Sequence, residues 1–183
     1  MGTFKIEGGK PLKGNVQPQG AKNEALQVLC PVLLTSEKVR VTNIPDIIDV
    51  NKLITLLGNL GVKIQKNGPG DYTFQADEVN VGYLETEAFK KEGGSLRGSI
   101  MIVGPLLARF GKGFIPKPGG DKIGRRRLDT HIEESINLGA KFRYNREDHF
   151  YGVEIDGRSK GASMLLDEAS VTGTANIVMA AAL

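Results

Sequence analysis

The sequence predicts an α/β fold (α+β in its helix and sheet content) assembled from β-α-β-α-β-β repeats, with an incomplete third repeat. Three observations carry this. Helical patterns alternate with short β-rich runs. The succession then recurs at a nearly constant offset: Lys22 to Arg97 is 75 positions, and Leu60-Gly61 to Leu138-Gly139 is 78. A third start follows, with Gly173 lying 75 positions after Gly98. Self-similarity of this kind means stacked supersecondary units that share a core.

In the first copy, "EALQVLCPVLLTS" predicts a buried helix over 24–34, and "EKVRVTNIP" alternates like a strand. "DIIDVNKLITLLGNLG" predicts a second helix, with Asp46 as N-cap and Gly61 as stop. "VKIQKNGPGDYTFQAD" predicts a hairpin with Asn67-Gly68-Pro69-Gly70 at its turn. In the second copy, "SLRGSIMIVGPLLARF" is a glycine-containing turn leading into an apolar helix, and "KGFIPKP" is a short strand ended by proline. "LDTHIEESINLGAKFRYN" is a helix that ends in Asn-Leu-Gly, and "KFRYNREDHFYGVEIDG" is again a hairpin. The third copy, "SMLLDEASVTGTANIVMAAAL", supplies one strand and one helix. It closes on an apolar helix without a glycine cap, so the sequence is expected to stop within its third unit.

Composition bounds the function. Hydrophobic content of 40% and charged content of 25% are those of a globular protein. The net charge of +3 does not call for nucleic acid as a partner. The single cysteine, Cys30, lies in the apolar run "LQVLCPVLL", so no disulfide forms within the chain, which fits a cytoplasmic location. The start "MGTFKIEGG" has neither a signal-peptide pattern nor the Ser or Thr at position 6 that myristoylation requires. No apolar run approaches the length needed to span a bilayer, so no membrane partner is expected.

Each repeat opens a helix on a small-residue turn: Gly20-Ala21-Lys22-Asn23, Leu96-Arg97-Gly98-Ser99 and Val171-Thr172-Gly173-Thr174. Helix beginnings carry unpaired N–H groups and the positive end of the dipole, which suits anions. Lys22 and Arg97 occupy equivalent positions, so pseudo-symmetric packing would build a phosphate-binding rim from both. The alternative is glycine serving helix packing beside solvated charges. A second candidate is "PKPGGDKIGRRRLDTHIEE", where Asp121 sits among Lys122, Arg125, Arg126 and Arg127. It reads either as a charged turn or as an anion pocket with an acid beside it. Three adjacent arginines cannot share one helix face, so one or two at most would meet a ligand.

Four separated motifs, "QGAKNEAL", "LRGSIMIVGPLLARFG", "PGGDKIGRRRLDTHI" and "DGRSKGASMLLDEASVTGT", resemble the UDP-N-acetylglucosamine enolpyruvyl transferase family along the whole chain. The resemblance implies an inside-out α/β barrel domain of three repeats, one of two such domains. It also implies transfer of the enolpyruvyl group of phosphoenolpyruvate to the 3′-hydroxyl of UDP-N-acetylglucosamine, the first committed step of peptidoglycan synthesis. The chain would be the first part of such an enzyme. Residues 1–21 would be a strand region of the other domain, and 22–183 most of one domain. The rest of the same enzyme is then the expected macromolecular partner, and self-association of the chain is expected as well.

Position by position, the resemblance places Lys22 and Asn23 at the phosphoenolpyruvate site and Arg126 on its phosphate. Arg97, the run Arg126, Arg127, Leu128, Asp129 and Thr130, and the run Glu168, Ala169, Ser170 and Val171 would meet the UDP-sugar. Lys22 and Asp121 would be catalytic. Arg127 stands where proline is commoner, and Glu168 where lysine is commoner. Asp121 stands where many members carry the cysteine that fosfomycin alkylates, so a fosfomycin-insensitive enzyme is expected. No cofactor and no metal is called for. Two other readings compete. The shikimate-pathway enolpyruvyl transferase has different motifs. A non-catalytic phosphate- or nucleic-acid-binding module lacks aromatic residues interleaved with its basic cluster.

Overall fold

The computed structural model describes residues 3–116, 128–145, 150–167 and 169–183. Helices α2 (Ile48–Asn59) and α5 (Asp129–Asn137) show the repeat most plainly, because they end in the same way. In α2 the Gly61 N–H donates to Gly58 O and the Val62 N–H to Leu57 O; in α5 the Gly139 N–H donates to Ile136 O and the Ala140 N–H to Ser135 O. Both are Schellman closures, which place one residue in the left-handed region, and Gly61 and Gly139 have φ of +96° and +97°. The two Leu-Gly steps of the sequence are these helix stops.

Each of the first two repeats forms a three-stranded antiparallel sheet. Strands β1 (Lys38–Val41), β2 (Lys63–Gly68) and β3 (Asp71–Gln75) lie in the order β1-β3-β2. Strands β4 (Lys112–Pro116), β5 (Lys141–Asn145) and β6 (Phe150–Glu154) lie in the order β4-β6-β5. Phe74 on the first central strand pairs with Val39 and Ile64. Val153 on the second pairs with Gly113 and Phe142. Phe74 and Val153 are both fully buried. Alternate residues of a strand face opposite sides, so one face of each sheet meets the core.

The opening helices of the repeats pack on one another. Helix α1 (Lys22–Val28) continues into a 3-10 helix, Cys30–Leu34. The 3-10 helix Arg97–Ile102 continues into α4 (Val103–Phe110), and α6 (Val171–Ala180) opens the third unit. A Cβ on Gly98 would sit 3.0 Å from Leu26 Cδ1, so α1 and the second opening helix touch. Gly104 N donates to Asn176 Oδ1 at 2.7 Å, joining α4 to α6. Leu29, Leu33, Leu53, Leu57, Ile102 and Leu106 fill the space between these helices and the sheets.

Several expectations change. The predicted helix over 24–34 starts at Lys22 and breaks before Pro31, whose ring would clash with the Gln27 carbonyl, so it goes on as a 3-10 turn. Asp46 does not cap α2; its carboxylate accepts from Asn51 Nδ2 at 2.7 Å, and Ile47 holds the cap position. The first hairpin turns at Pro69-Gly70 alone, with Gly68 paired to Asp71 and Asn67 within the strand where the register shifts. Residues 81–94, unassigned from sequence, form a 3-10 turn and α3 (Glu87–Gly94), capped by the Thr86 hydroxyl accepting from Phe89 N at 3.2 Å.

The leading strand of each predicted unit is not formed among the described residues. The first two units read α-β-α-β-β. Residues 3–20 carry no regular structure, and Phe4, Ile6, Leu12 and Val16 are at least 89% exposed. The described residues between Ile155 and Ser170 likewise contain no strand, and Leu165 is 98% exposed. A strand exists through its pairing, and neither segment finds a partner strand among the described residues.

Candidate functional site

The first repeat's opening turn is shaped by a close approach. A Cβ on Gly20 would lie 2.1 Å from Asn43 O, so only glycine lets the chain pass into α1 here. Lys22 and Asn23 are then the first two residues of α1, both exposed. No side chain caps this helix at Ala21. The Lys22 ammonium is held by Asp49 Oδ2 at 3.1 Å, from the first turn of α2. Sequence reasoning did not single out Asp49. Its acidic place one turn into α2 was the available signal.

Arg97, Thr130, Ser170 and Val171 belong to a second gathering. Arg97 is the half-buried first residue of its 3-10 helix. Its positive charge acts on His131 of α5, which is buried. Burial first, and Arg97 second, hold the His131 ring neutral, with its pKa down at about 4. The His131 ring meets Asn176 Nδ2 at 3.0 Å through Nδ1 and Thr172 Oγ1 at 3.4 Å through Nε2, both on α6. The beginnings of the second opening helix, α5 and α6 therefore meet around one imidazole. Asn176 completes the joint by donating to Ile100 O at 3.1 Å as well as accepting from Gly104 N.

The remaining predicted residues flank this joint. Leu128 is half-buried at the cap position of α5, and Asp129 is exposed in its first turn. Thr130 is buried and donates to Asp167 Oδ1 at 3.1 Å. Ala169 is exposed beside Ser170, whose hydroxyl caps α6 by accepting from Gly173 N at 3.0 Å. Val171 opens the helix and is 72% exposed. Asp121, Arg126 and Arg127, with Lys122 and Arg125, lie outside the described residues, as does Glu168. The structure thus brings Arg97, Thr130, Ser170 and Val171 toward one end of α5 and α6. It sets Lys22 and Asn23 at the neighbouring start of α1.

Beneath this end lies Glu134, on α5. It is 4% exposed, and neither carboxylate oxygen has a hydrogen-bond partner among the described residues. Burial, aided by the Asp167 charge, pushes its pKa up to about 7. Two surface pockets lie elsewhere. One of about 330 Å³ is lined by Ile48, Asn51, Lys52, Thr55, Glu92 and Ser95. The other, of about 570 Å³, is lined by Leu138, Lys160, Met164, Ile177 and neighbours at the far ends of α5 and α6. Neither holds a predicted site residue. No group of three or more metal-binding side chains occurs among the described residues, and no described helix is long and apolar enough to cross a membrane.

Comparison with known proteins fits this architecture. Residues 6–183 match the EPSP synthase (3-phosphoshikimate 1-carboxyvinyltransferase) family. Over all 183 residues the chain is 59% identical to a UDP-N-acetylglucosamine 1-carboxyvinyltransferase of Bacteroides fragilis. It is 54% identical to one of Porphyromonas gingivalis and, over 184 aligned positions, 42% identical to one of Aliivibrio salmonicida. It spans 42% of the length of each of these relatives. Among solved structures, an EPSP synthase from Acinetobacter baumannii superposes with a TM-score of 0.68 at 17% identity, covering 94% of this chain and 39% of that one. The enolpyruvyl transferase NikO from Streptomyces tendae gives 0.64 at 20% identity, covering 80% and 31%. At those identities the likeness shows the fold. The chain belongs to the EPSP synthase (3-phosphoshikimate 1-carboxyvinyltransferase) family.

Proposed function

We propose that the chain is part of a UDP-N-acetylglucosamine 1-carboxyvinyltransferase and supplies the side of the active site built on its helix beginnings. The observation that carries this is the meeting of Arg97, His131 and Thr172, which draws three helix starts to one place beside the segments expected to hold the nucleotide sugar. The identity of 59% to enzymes of that name supports the substrate assignment over the shikimate-pathway alternative.

In this reading Lys22 and Asn23, with Arg126, hold phosphoenolpyruvate, whose phosphate and carboxylate need several cations. Arg97, the run Arg126, Arg127, Leu128, Asp129 and Thr130, and the run Glu168, Ala169, Ser170 and Val171 face UDP-N-acetylglucosamine. The sugar 3′-hydroxyl adds to the central carbon of phosphoenolpyruvate while Asp121 delivers a proton to its methylene carbon. Loss of a proton from the new methyl group with departure of phosphate from the tetrahedral ketal then returns the enolpyruvyl product, the hydroxyl proton of the addition step having passed to a base in the remaining length of the enzyme. Lys22 stays on the phosphate as its charge changes, which stabilises the transition states. Residues 22–183 form most of one inside-out barrel domain. Residues 1–21 add a strand to the other domain, and the remaining length of the enzyme supplies the facing wall and further catalytic groups.

Phosphate release from phosphoenolpyruvate tests this, with UDP-N-acetylglucosamine or 3-phosphoshikimate as acceptor. The chain alone should be inactive, because closure over the substrates needs both domains. Fusion to the remaining length of a relative should restore turnover with the nucleotide sugar only. Turnover with 3-phosphoshikimate would favour the alternative, and activity of the chain alone would refute the division of the site.

A further inference from the structure

Glu134 is an unusual group to find under a helix beginning. It is 4% exposed, neither oxygen has a hydrogen-bond partner among the described residues, and Oε1 is 2.8 Å from where a Cβ on Gly173 would stand. Gly173 is the third residue of α6, so the carboxyl group lies against the first turn of that helix. A buried carboxyl without a donor is strained when ionised and comfortable when neutral. Ser170 and Val171, which open α6, face UDP-N-acetylglucosamine under the function proposed above, on which this inference rests, and a helix beginning suits the diphosphate of that ligand. Two negative groups would then compete for one helix terminus.

We propose that Glu134 controls, by its protonation, whether the N-terminus of α6 accepts the diphosphate of a nucleotide sugar: the neutral carboxyl admits it and the carboxylate repels it. Among the described residues, no group set against the carboxyl supplies a compensating positive charge. From the 155–170 segment Asp167 adds negative charge, which favours the neutral form. On the same helix His131 is held neutral by burial and by Arg97, so it offers no counter-charge. Arg97, from the second opening helix, acts on that ring. Glu133 is exposed, and α6 has no ionisable side chain. With the carboxyl poised at about 7, it changes state within the ordinary working range of pH.

UDP-N-acetylglucosamine is a clean probe, because its diphosphate is esterified at both ends and keeps a fixed charge between pH 5.5 and pH 8.5. The test measures its affinity for the chain fused to the remaining length of a relative, across that range, for the unmutated protein, Glu134→Gln and Glu134→Ala. The carbon-13 resonance of the Glu134 carboxyl is followed in parallel. Binding coupled to uptake of one proton should weaken by about tenfold or more from pH 6 to pH 8.5 in the unmutated chain. Both variants should be flat and should match the unmutated chain at low pH. Saturating ligand should move the Glu134 midpoint upward. An equal pH dependence in the variants, or a midpoint that ligand leaves in place, overturns the gate and leaves the nucleotide-sugar site standing. No binding at any pH in any of the three overturns the site itself, and the gate with it.

Discussion

Asp49, in the first turn of α2, holds the ammonium of Lys22 at 3.1 Å, tying the start of α1 to the start of α2. The pair is roughly half exposed, at 46% for Lys22 and 38% for Asp49. Exposed pairs of this kind contribute about 0–1 kcal/mol. Lys22→Ala should therefore change the urea midpoint of the chain very little. If Lys22 faces the phosphate as proposed, the same change should lower turnover in the completed enzyme by on the order of 10²–10³, the usual cost of one stabilising contact to developing charge. A variant with near-normal rate would make Lys22 a surface residue that serves only Asp49.

Two buried groups on α5 give the chain opposing pH dependences. Glu134 moves up from 4.5 to about 7, so between those values the folded chain keeps a proton the unfolded chain has lost, and stability falls as pH rises. His131 moves down from 6.5 to about 4, so between those values the unfolded chain holds the extra proton, and stability rises with pH. From about pH 4.5 to 6.5 the two nearly cancel. The carboxylates Asp71, Asp77 and Asp156, hydrogen-bonded by Arg40, Lys63 and Lys141, are held below their ordinary 3.8 and titrate under that window. Glu134→Gln should expose the histidine slope, a gain of up to about 3 kcal/mol from pH 4 to pH 6.5 at about 1.4 kcal/mol per pH unit. His131→Gln should expose the opposite slope, a loss between pH 4.5 and pH 7. Denaturant melts at half-unit steps of pH check both signs, and parallel curves for all three proteins would contradict the assignment.

What the sequence reveals and what it hides divide along a physical line. The Leu-Gly stops were legible because a left-handed residue after a helix nearly demands glycine, and both Gly61 and Gly139 meet that demand. The doubled hairpins were legible from alternation and turn residues. The inward polar face of α5 was not. His131, Glu134 and Ser135 are buried while Ile136 is 46% exposed, the reverse of an ordinary amphipathic helix. Only the neighbouring helix α6, with Thr172 and Asn176 in place, makes that arrangement tolerable. The leading strands failed for a related reason: a β-rich pattern states a capacity to pair and does not supply the partner. Among the expected site residues, positions at helix beginnings could be read from repeat spacing, whereas Asp49 and Asn176 act across helices and have no local signature.

Asn176 joins the third unit to the second, and it leaves little room. A Cβ on Gly104 would lie 2.3 Å from Asn176 O and 2.5 Å from its Oδ1. Gly104→Ala must push α4 and α6 apart and should cost about 1–3 kcal/mol, as overpacking does. Asn176→Leu should also cost about 1–3 kcal/mol, by leaving the Gly104 N–H without its partner. Gly161→Ala, where a Cβ meets nothing within 4 Å, is the control and should leave stability unchanged. Thermal melts of the three variants decide the matter. A melting temperature for Gly104→Ala equal to that of the control would mean that α6 is not held as described.

Asp121 carries the most consequential prediction. Under the proposed mechanism it moves the proton at the methylene carbon of phosphoenolpyruvate, while Lys22, Arg126 and their neighbours hold the anionic groups. A carboxylate can do this work as a general acid and base. Fosfomycin acts differently, through a thiolate that opens its epoxide and forms a stable thioether. A carboxylate is a far weaker nucleophile toward an epoxide, and any ester it formed would hydrolyse. Cys30 cannot take its place: it is fully buried, its thiol donates a hydrogen bond to Leu26 O at 3.2 Å, and burial raises its pKa far above the ordinary thiol range. The completed enzyme should therefore resist fosfomycin. Asp121→Cys should become sensitive while keeping activity. Asp121→Ala should lose on the order of 10²–10⁴ in rate, the usual contribution of a general acid, and still bind UDP-N-acetylglucosamine. Intact-mass measurement after incubation, beside a rate assay, separates the outcomes. A covalent adduct on the unmutated protein with a matching loss of rate would show that a carboxylate at position 121 gives no protection.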